Sequence, residues 1–259
     1  MSDVGAPRRF DDLSAKDQNR YREFGRQMVR LAGVCAVPII FAPAPGIEGD
    51  INSATGSVLK LERGYFLVTA NHVLDKYTKR LQSGEKLNWQ VGHLPPFDPL
   101  SRIAWKDTAK DTLLLSLSAE EARQVGTRAH ITAPTEWPPP TPKVGQIVLV
   151  AGYLKILREV NVAEAMVRMD GLNAMFRVTG VGDGYFYCKY EREEDLVTFN
   201  ELPLPDIGMA MGGLSGGPTF LIVGQSIIYP ALVGVISECV EGFGLLRIAT
   251  LENAIIQEN

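Results

Sequence analysis

A glycine-rich stretch around Ser215 has the composition that a nucleophile and its surroundings require. Residues 211–218 read Met-Gly-Gly-Leu-Ser-Gly-Gly-Pro, so one serine lies among four glycines and a proline closes the stretch. Glycine is used where φ must be positive or where the backbone must approach a ligand closely. A serine on such a backbone can be rigid and exposed, with neighbouring N–H groups directed at one point. The stretch predicts either a nucleophile beside an oxyanion hole or a simple glycine-rich turn between strands.

The order of residues along the chain separates the possible hydrolytic mechanisms. The chain has 3 histidines, all of which precede Ser215: His72, His93 and His130. Residues 213–217 match the G-x-S-x-G elbow of α/β-hydrolases, but that fold needs its histidine after the serine. A subtilisin-like order needs an aspartate first, and Asp50 lies in loop-like sequence with no strand leading into it. Histidine, then aspartate, then serine is the order that remains.

His72 has the surroundings that a catalytic base needs. It follows residues 65–70, an apolar run rich in β-forming residues, and a base that must keep one orientation benefits from the rigid end of a strand. His93 lies in a loop-like segment with glycine and proline, and His130 lies near a proline-rich boundary. We interpret these two as structural or surface histidines.

Two aspartates compete for the third position. Asp111 is followed by a threonine and three leucines, which predict a buried strand, whereas Asp107 is followed by Thr-Ala-Lys, whose lysine does not suit a buried strand. A carboxylate that orients an imidazole must be held by a packed element and shielded from water. We therefore prefer Asp111, whose alternative role is that of a cap at the start of a strand.

Three motifs, in this order, resemble those of the trypsin-like serine proteases of the chymotrypsin fold. Residues 67–73 (Leu-Val-Thr-Ala-Asn-His-Val) resemble the histidine motif, residues 111–115 the aspartate element, and residues 213–218 the serine motif. Residues 54–59 are similar to the first strand of the histidine hairpin, and residues 144–153 to the strand that opens the second barrel.

A later segment resembles one particular branch of this family. Residues 242–248 are similar to the closing strand of the bacterial trypsin-like peptidase branch, which includes the high-temperature-requirement proteases. The resemblance covers roughly residues 34–251. It implies an all-β fold of two six-stranded antiparallel β-barrels, with an N-terminal helix and a C-terminal helix.

The chain is expected to divide into four segments: residues 1–32, an N-terminal extension with a helix; 33–133, a first β-barrel with His72 and Asp111; 134–142, a proline-rich linker; and 143–259, a second β-barrel with Ser215 and a C-terminal helix. Ser14 is the expected N-cap of the first helix, and Thr250 is the expected cap of the last, which runs through residue 256. Apolar residues of the first helix recur at spacings of three and four on a face expected to pack on the barrels: Tyr21, Phe24, Met28 and Leu31.

The resemblance implies a serine endopeptidase that works by acyl transfer. Ser215 would attack the peptide carbonyl, His72 would take its proton, and Asp111 would hold the imidazole tautomer. The N–H groups of Gly213 and Ser215 would bind the developing oxyanion, so Gly213→Val is expected to abolish turnover with the fold intact. The alternatives are a catalytically silent protease-fold scaffold and a regulatory adaptor whose N-terminal helix docks on a partner, with protease activity as its output.

Specificity is expected to differ from that of the secreted digestive members of the family. Leu214 stands where those enzymes have the aspartate that pairs with a freed N-terminal amine, so activation by trimming is not expected. Met209 stands where pockets for basic side chains have an aspartate, and burial of Lys or Arg without that charge would be costly. We expect a small or apolar residue before the scissile bond. Ser237 and Glu238 lie in a strand that resembles the one pairing with substrate backbone.

Composition restricts the class of protein. The chain has 259 residues, 46% of them hydrophobic, and a net charge of -4, which indicates a globular protein that does not bind nucleic acid. No apolar run has the length of a membrane span, and the N-terminus has no secretory-signal core. The 3 cysteines form neither a zinc pattern nor a disulfide framework: Cys35, Cys188 and Cys239. We expect a cytoplasmic protein without cofactor or metal, acting on a polypeptide substrate; a regulatory protein partner is compatible with the sequence.

Overall fold

The computed structural model describes residues 14–44, 49–125, 132, 137–161, 166–189, 211–224, 229–240 and 243–252. This part of the chain contains three α-helices: α1 (Ala15–Cys35), α2 (Asn71–Gln82) and α3 (Ala119–Gln124). It also contains twelve strands: β1 (Ala36–Pro43), β2 (Asn52–Leu61), β3 (Gly64–Ala70), β4 (Leu87–Val91), β5 (Ile103–Asp107), β6 (Thr112–Leu117), β7 (Ile147–Asn161), β8 (Met166–Gly182), β9 (Tyr185–Lys189), β10 (Pro218–Val223), β11 (Tyr229–Val240) and β12 (Leu245–Thr250).

The strands form two six-stranded antiparallel sheets. The first has the order β4-β1-β2-β3-β6-β5, and the second is a closed barrel with the order β10-β11-β12-β9-β8-β7. The sequence prediction of an all-β fold with two such sheets is confirmed, and the arrangement is consistent with the two-barrel, chymotrypsin-like fold. Closing a sheet removes its exposed edges, which would otherwise present unpaired backbone groups.

The register of the first sheet brings the ends of two strands together. Strands β2 and β3 form a hairpin, and β6 pairs with the other side of β3 so that Thr112 lies opposite Ala70. His72 follows Ala70 by two residues, and Asp111 directly precedes Thr112. Because the two strands are antiparallel and in this register, their connecting segments place His72 and Asp111 at the same edge.

The second barrel positions the glycine-rich stretch. Strand β10 begins at Pro218, directly after that stretch, and it lies between β11 and β7. Pro218 pairs with Val235 of β11. Ser215 is therefore placed beside the central part of β11 and next to β7.

A shared apolar core joins the two sheets and the first helix. Buried side chains of β3 and β6, such as Val68 and Leu114, pack in one cluster with Leu149 and Phe220 of the second barrel and with Val29 of α1. Burial of apolar surface contributes about 25 cal/mol per Å². This cluster therefore holds the two sheets together, and their facing edges carry the residues that the sequence singled out.

Helix α1 begins where the sequence predicts but packs on a slightly different face. The Ser14 side chain accepts a hydrogen bond from the Asp17 N–H at 3.2 Å, so the predicted N-cap is confirmed. The predicted stripe is only half-buried, and its Tyr21 is 59% exposed. The buried residues are instead small or β-branched: Gly25, Val29, Ala32 and Cys35. Small side chains allow the helix backbone to approach β7 and β8 closely, which larger residues would prevent.

Some predictions concern residues outside the described ranges. These are Met209, His130 and the C-terminal helix beyond residue 252. Thr250, its expected cap, is the last residue of β12. Helix α1 ends at Cys35, three residues beyond the expected limit of the N-terminal extension, and the four segment boundaries stay predictions.

Candidate active site

His72 lies in the first turn of α2, immediately after β3. The chain leaves β3 at Ala70, which is the N-cap residue of α2 in an extended conformation. The N-terminal N–H groups of a helix have no partner within the helix. The His72 N–H finds one in the Asp111 carboxylate, whose Oδ1 lies 2.8 Å away. The imidazole is 45% exposed, so it is accessible from the solvent side while its backbone is fixed.

Asp111 is held in an unusual backbone conformation directly before β6. Its φ is 54°, and it is the only residue other than glycine with positive φ within the described ranges. Aspartate tolerates this region better than most residues do. The Asp111 carbonyl accepts from the Asn71 N–H at 3.1 Å, and its Oδ2 lies 2.8 Å from His72 Nδ1. The conformation thus allows one residue to bind the start of α2 through both its backbone and its side chain.

Asp107, the other candidate from the sequence, makes a different contact in the structure. Its Oδ1 accepts a hydrogen bond from the Lys110 N–H at 2.9 Å. This contact closes the turn that leads from β5 to Asp111. The structure therefore brings Asp111, and not Asp107, into contact with His72.

The surroundings of Asp111 favour its ionised form. Burial raises its pKa, but the hydrogen bond and charge of the His72 side chain, together with hydrogen bonds from Ser237 and from the His72 backbone, outweigh burial and leave the pKa below its usual value. The carboxylate is only 14% exposed. It is consequently a shielded anion at neutral pH, suited to accept from the Nδ1–H of a neutral imidazole and to stabilise an imidazolium.

Ser237 binds Asp111, a role that the sequence did not reveal. Its Oγ donates to Asp111 Oδ2 at 2.7 Å. The register of β11 with β12 shifts between Ile236 and Glu238, so Ser237 is the extra residue of a bulge. Bulges re-aim side chains. A buried hydroxyl in an apolar strand needs a partner, and that need is the one signal in the sequence that could have pointed to this contact.

Arg247 fixes the direction of the Ser237 hydroxyl. Its Nη2 lies 3.3 Å from Ser237 Oγ and 3.1 Å from a carboxylate oxygen of Glu238. The guanidinium also lies over the Tyr185 ring, 4.8 Å from its centre. Because arginine can only donate, the Ser237 oxygen must accept from it, and its own proton is directed to Asp111. Glu238, expected to contact substrate, has its carboxylate paired with Arg247.

Within residues 213–217, two amides have no backbone acceptor in the described part of the protein. The N–H groups of Leu214, Gly216 and Gly217 donate to the carbonyls of Met211 (3.4 Å), Ile236 (2.7 Å) and Leu214 (2.8 Å). Throughout the described ranges, the N–H groups of Gly213 and Ser215 have no such acceptor. These are the two amides that the sequence analysis proposed for an oxyanion hole.

Gly216 lets this stretch reach the edge of the first sheet. Its φ is +82°, and a Cβ built on it would lie 2.0 Å from Thr69 Oγ1 and 2.9 Å from the Ala70 N. No side chain fits in that space. The backbone next to Ser215 thus lies against the end of β3, two residues before His72.

Gly213 is equally constrained. Its φ is +98°, and an added Cβ would lie 2.5 Å from the Tyr153 carbonyl oxygen and 2.8 Å from the Lys155 nitrogen. Both atoms are backbone and cannot move aside cheaply. The expectation that Gly213→Val would leave the fold intact is therefore wrong, because the substitution must displace the loop itself.

The remaining candidates lie apart from this constellation. His93 is exposed, and its N–H donates to the Val125 carbonyl at 2.9 Å. The Asp50 carbonyl accepts from the Arg80 guanidinium at 2.8 Å. Leu214 is 1% exposed and packs in the core of the second barrel, which provides apolar surroundings at this position.

Metal-ligating clusters and thiols are the other groups that could carry chemistry. No group of three or more His, Cys, Asp or Glu side chains that could hold a metal occurs in the described ranges. None of the three cysteines is in a disulfide bond, and burial raises the pKa of the Cys35 thiol to about 11 and that of the Cys188 thiol to about 12. No described helix is long and apolar enough to cross a membrane.

Fold and geometry together define a two-barrel protein with a hydrogen-bonded histidine–aspartate pair beside a serine loop. No protein-family model matches the chain, and no curated protein matches it. Among solved structures it is similar to a thermostable serine protease, AL20, from an extremophilic microorganism, with 13% identity and a TM-score of 0.46 over 88% of this chain and 100% of that one. It is also similar to the Rv3671c protease of M. tuberculosis in its active form, with 16% identity and a TM-score of 0.47 over 91% and 87% of the two chains.

Proposed function

We propose that the protein is a serine endopeptidase with Ser215 as nucleophile, His72 as general base and acid, and Asp111 as the group that orients His72. The observation that carries the proposal is the fixation of Asp111, whose carboxylate accepts from the His72 side chain, the His72 backbone and Ser237. A carboxylate held in this way leaves His72 protonated at Nδ1 and its Nε2 able to accept a proton.

The reaction would proceed by acyl transfer in two halves. Ser215 Oγ adds to the peptide carbonyl carbon while His72 Nε2 takes its proton, and the carbonyl oxygen becomes an oxyanion. The amides of Gly213 and Ser215 donate to that oxygen, and His72 returns the proton to the departing amine. Water then repeats the sequence on the acyl-enzyme and releases the acid product. A donor of this kind contributes about 10²–10³-fold to kcat.

The sequence also supports proposals about substrate preference, the branch of the family and the cellular location. The apolar Met209 in place of an acidic residue favours a small or apolar side chain before the scissile bond, and the β11 backbone at Ser237 and Glu238 would pair with substrate backbone. The segment 242–248 favours the bacterial trypsin-like branch. The charge and cysteine content favour a cytoplasmic location, where narrow specificity or a protein partner would restrain the activity.

Labelling with a fluorophosphonate probe tests the proposal directly. The probe should form a covalent adduct on the peptide that contains Ser215, which mass spectrometry identifies. Ser215→Ala should abolish the adduct and His72→Ala should slow it by several orders of magnitude, whereas Ser116→Ala, which changes an exposed serine of β6, should react like the wild type. A folded wild type that reacts no faster than Ser215→Ala would instead indicate a silent scaffold.

A panel of chromogenic peptides tests the specificity. We expect turnover with alanine, valine or leucine before the scissile bond. A preference for arginine or lysine at that position would contradict the assignment of Met209.

A further inference from the structure

Thr55 is a buried polar residue that joins the first sheet to the Ser215 stretch. It lies in β2, opposite Pro38 of β1, and its exposure is 0%. A hydroxyl buried this completely is stabilised only when it is hydrogen-bonded. The hydrogen-bond partners of this hydroxyl belong to the second barrel, almost a hundred residues or more away along the chain.

All of the polar groups of Thr55 are used. Its N–H donates to the Ser215 carbonyl at 2.9 Å, and its carbonyl accepts from the Thr69 hydroxyl at 2.7 Å. Its Oγ1 accepts from the Tyr153 N–H at 2.9 Å and lies 2.8 Å from the Gly213 carbonyl oxygen. The Tyr153 N–H supplies its own proton to Oγ1. The single hydroxyl proton of Thr55 must therefore be donated to the Gly213 carbonyl.

These contacts fix the peptide groups on both sides of Gly213. The Gly212 carbonyl accepts from the Lys155 N–H at 2.6 Å, and the Gly213 carbonyl accepts from Thr55. Glycine at a φ of +98° has few steric restraints of its own, so its peptide planes could rotate without these two bonds. The Gly213 N–H lies in the first of these peptide groups, and its orientation relative to the peptide groups that follow, up to the Ser215 N–H, depends on the bond from Thr55.

We propose that Thr55 is a positioning residue for the oxyanion hole: its hydroxyl holds the Gly213 carbonyl so that the amides of Gly213 and Ser215 converge. This inference rests on the proposed serine peptidase function. In the described structure no hydrogen bond joins Thr55 to His72 or Asp111, so it acts on the oxyanion donors and not on the proton-transfer groups.

Thr55→Val tests the hydroxyl at almost constant shape. We expect kcat on a peptide substrate to fall about 10- to 100-fold, with KM and the pH midpoint of kcat/KM unchanged, because ground-state binding and the His72–Asp111 pair are untouched. A peptide boronic acid, which forms a tetrahedral adduct, should lose affinity by a similar factor. Thr55→Ser keeps the hydroxyl and should retain kcat within about threefold.

Thr219→Val is the matched control. Thr219 is also fully buried in a strand, and its hydroxyl has no hydrogen-bond partner in the described part of the protein. Its replacement should leave kcat and boronic acid affinity unchanged. If Thr55→Val does not fold, Thr55→Cys takes its place. Cysteine is nearly the same size as serine, but its thiol is only a weak hydrogen-bond donor. Thr55→Cys should therefore show the loss of kcat that Thr55→Ser does not.

The outcomes separate this inference from the proposed function. If the wild type neither hydrolyses peptides nor reacts with the fluorophosphonate, the proposed function fails. If the wild type is active and folded Thr55→Val or Thr55→Cys keeps kcat within twofold, the positioning role is refuted. It is equally refuted if Thr55→Ser loses as much kcat as Thr55→Val, because shape would then matter and not the hydroxyl.

Discussion

Replacement of Asp111 by asparagine reverses the hydrogen bonds that hold His72. The Asp111 carboxylate accepts from three donors: the His72 N–H, His72 Nδ1 and the Ser237 hydroxyl. An asparagine has one acceptor oxygen and one donor nitrogen. If its oxygen keeps the His72 backbone N–H, its NH₂ group faces His72 Nδ1. Nδ1 must then be the acceptor, which moves the imidazole proton to Nε2.

The opposite orientation of the amide is worse. It would place the NH₂ group where Asp111 Oδ1 now lies, 2.8 Å from the His72 backbone nitrogen, so that two donors would face each other. The first orientation therefore prevails, and a protonated Nε2 cannot accept the proton of Ser215. In enzymes with this mechanism, the same exchange lowers kcat by about 10⁴-fold. At about 1.36 kcal/mol per factor of ten, this corresponds to roughly 5.4 kcal/mol in the activation barrier.

The measurement is the second-order rate of fluorophosphonate labelling, together with kcat/KM on a chromogenic peptide. Asp107→Asn is the control, because Asp107 closes the preceding turn through the Lys110 N–H and does not touch His72. We expect Asp111→Asn to lose about 10⁴-fold and Asp107→Asn to stay within a few-fold of the wild type. The reasoning is refuted if folded Asp111→Asn keeps more than a tenth of the wild-type rate, or if Asp107→Asn shows the larger loss.

Three further predictions follow from the same contacts. Ser237→Ala removes a hydrogen bond to a carboxylate worth about 1.5–3 kcal/mol, so the pKa of Asp111 should rise. A more basic carboxylate stabilises the protonated His72 imidazole more strongly, so the acid limb of the labelling rate against pH should move upward; an unchanged profile would contradict the contact. Because the pKa of Asp111 is lowered on folding, its contribution to stability is complete above the unfolded value, about 3.9, and is lost as the pH falls through the lower folded value. Urea unfolding should thus show that the gap between wild type and Asp111→Asn narrows below about pH 4, and a gap that widens there would refute the sign. Gly216→Ala places a Cβ 2.0 Å from Thr69 Oγ1 and should lower the free energy of unfolding by more than the 1–2 kcal/mol of left-handed strain alone. Gly84→Ala, at a φ of +91° with nothing within 4 Å of the added Cβ, should cost only that strain; equal losses in the two variants would argue against the close contact.

The sequence was informative where one segment determines its own structure. The cap at Ser14 and the apolar runs of β3 and β6 depend on neighbours within a few positions, so local pattern predicted them. The pairing of His72 with Asp111 also follows once two apolar runs are assumed to be neighbouring antiparallel strands. The buried face of α1 was predicted less well, because it includes the small residues Gly25 and Ala32, and the packing of this helix on β7 and β8 depends on distant parts of the chain.

Contacts between distant segments could not be predicted in this way. Ser237 reaches Asp111 because a bulge shifts the register of β11, and a bulge has no reliable signature in a single apolar strand. Arg247 lies opposite Glu238 only in that shifted register. Thr55 lies in a short polar segment whose residue types suit an exposed hairpin equally well, yet it is completely buried between the two sheets.

The two halves of the candidate site each depend on the opposite sheet. The Asp111 carboxylate, at the end of the first sheet, accepts from Ser237 of the second, and the Gly213 carbonyl, beside the second sheet, accepts from Thr55 of the first. Proton transfer and oxyanion binding thus use different residues, but both depend on the contact between the two sheets. A change that loosens this contact should weaken both together, whereas a change at Thr55 or Ser237 should weaken one. Separate measurement of boronic acid affinity and of the pH profile therefore distinguishes a local defect from a shift of one sheet against the other.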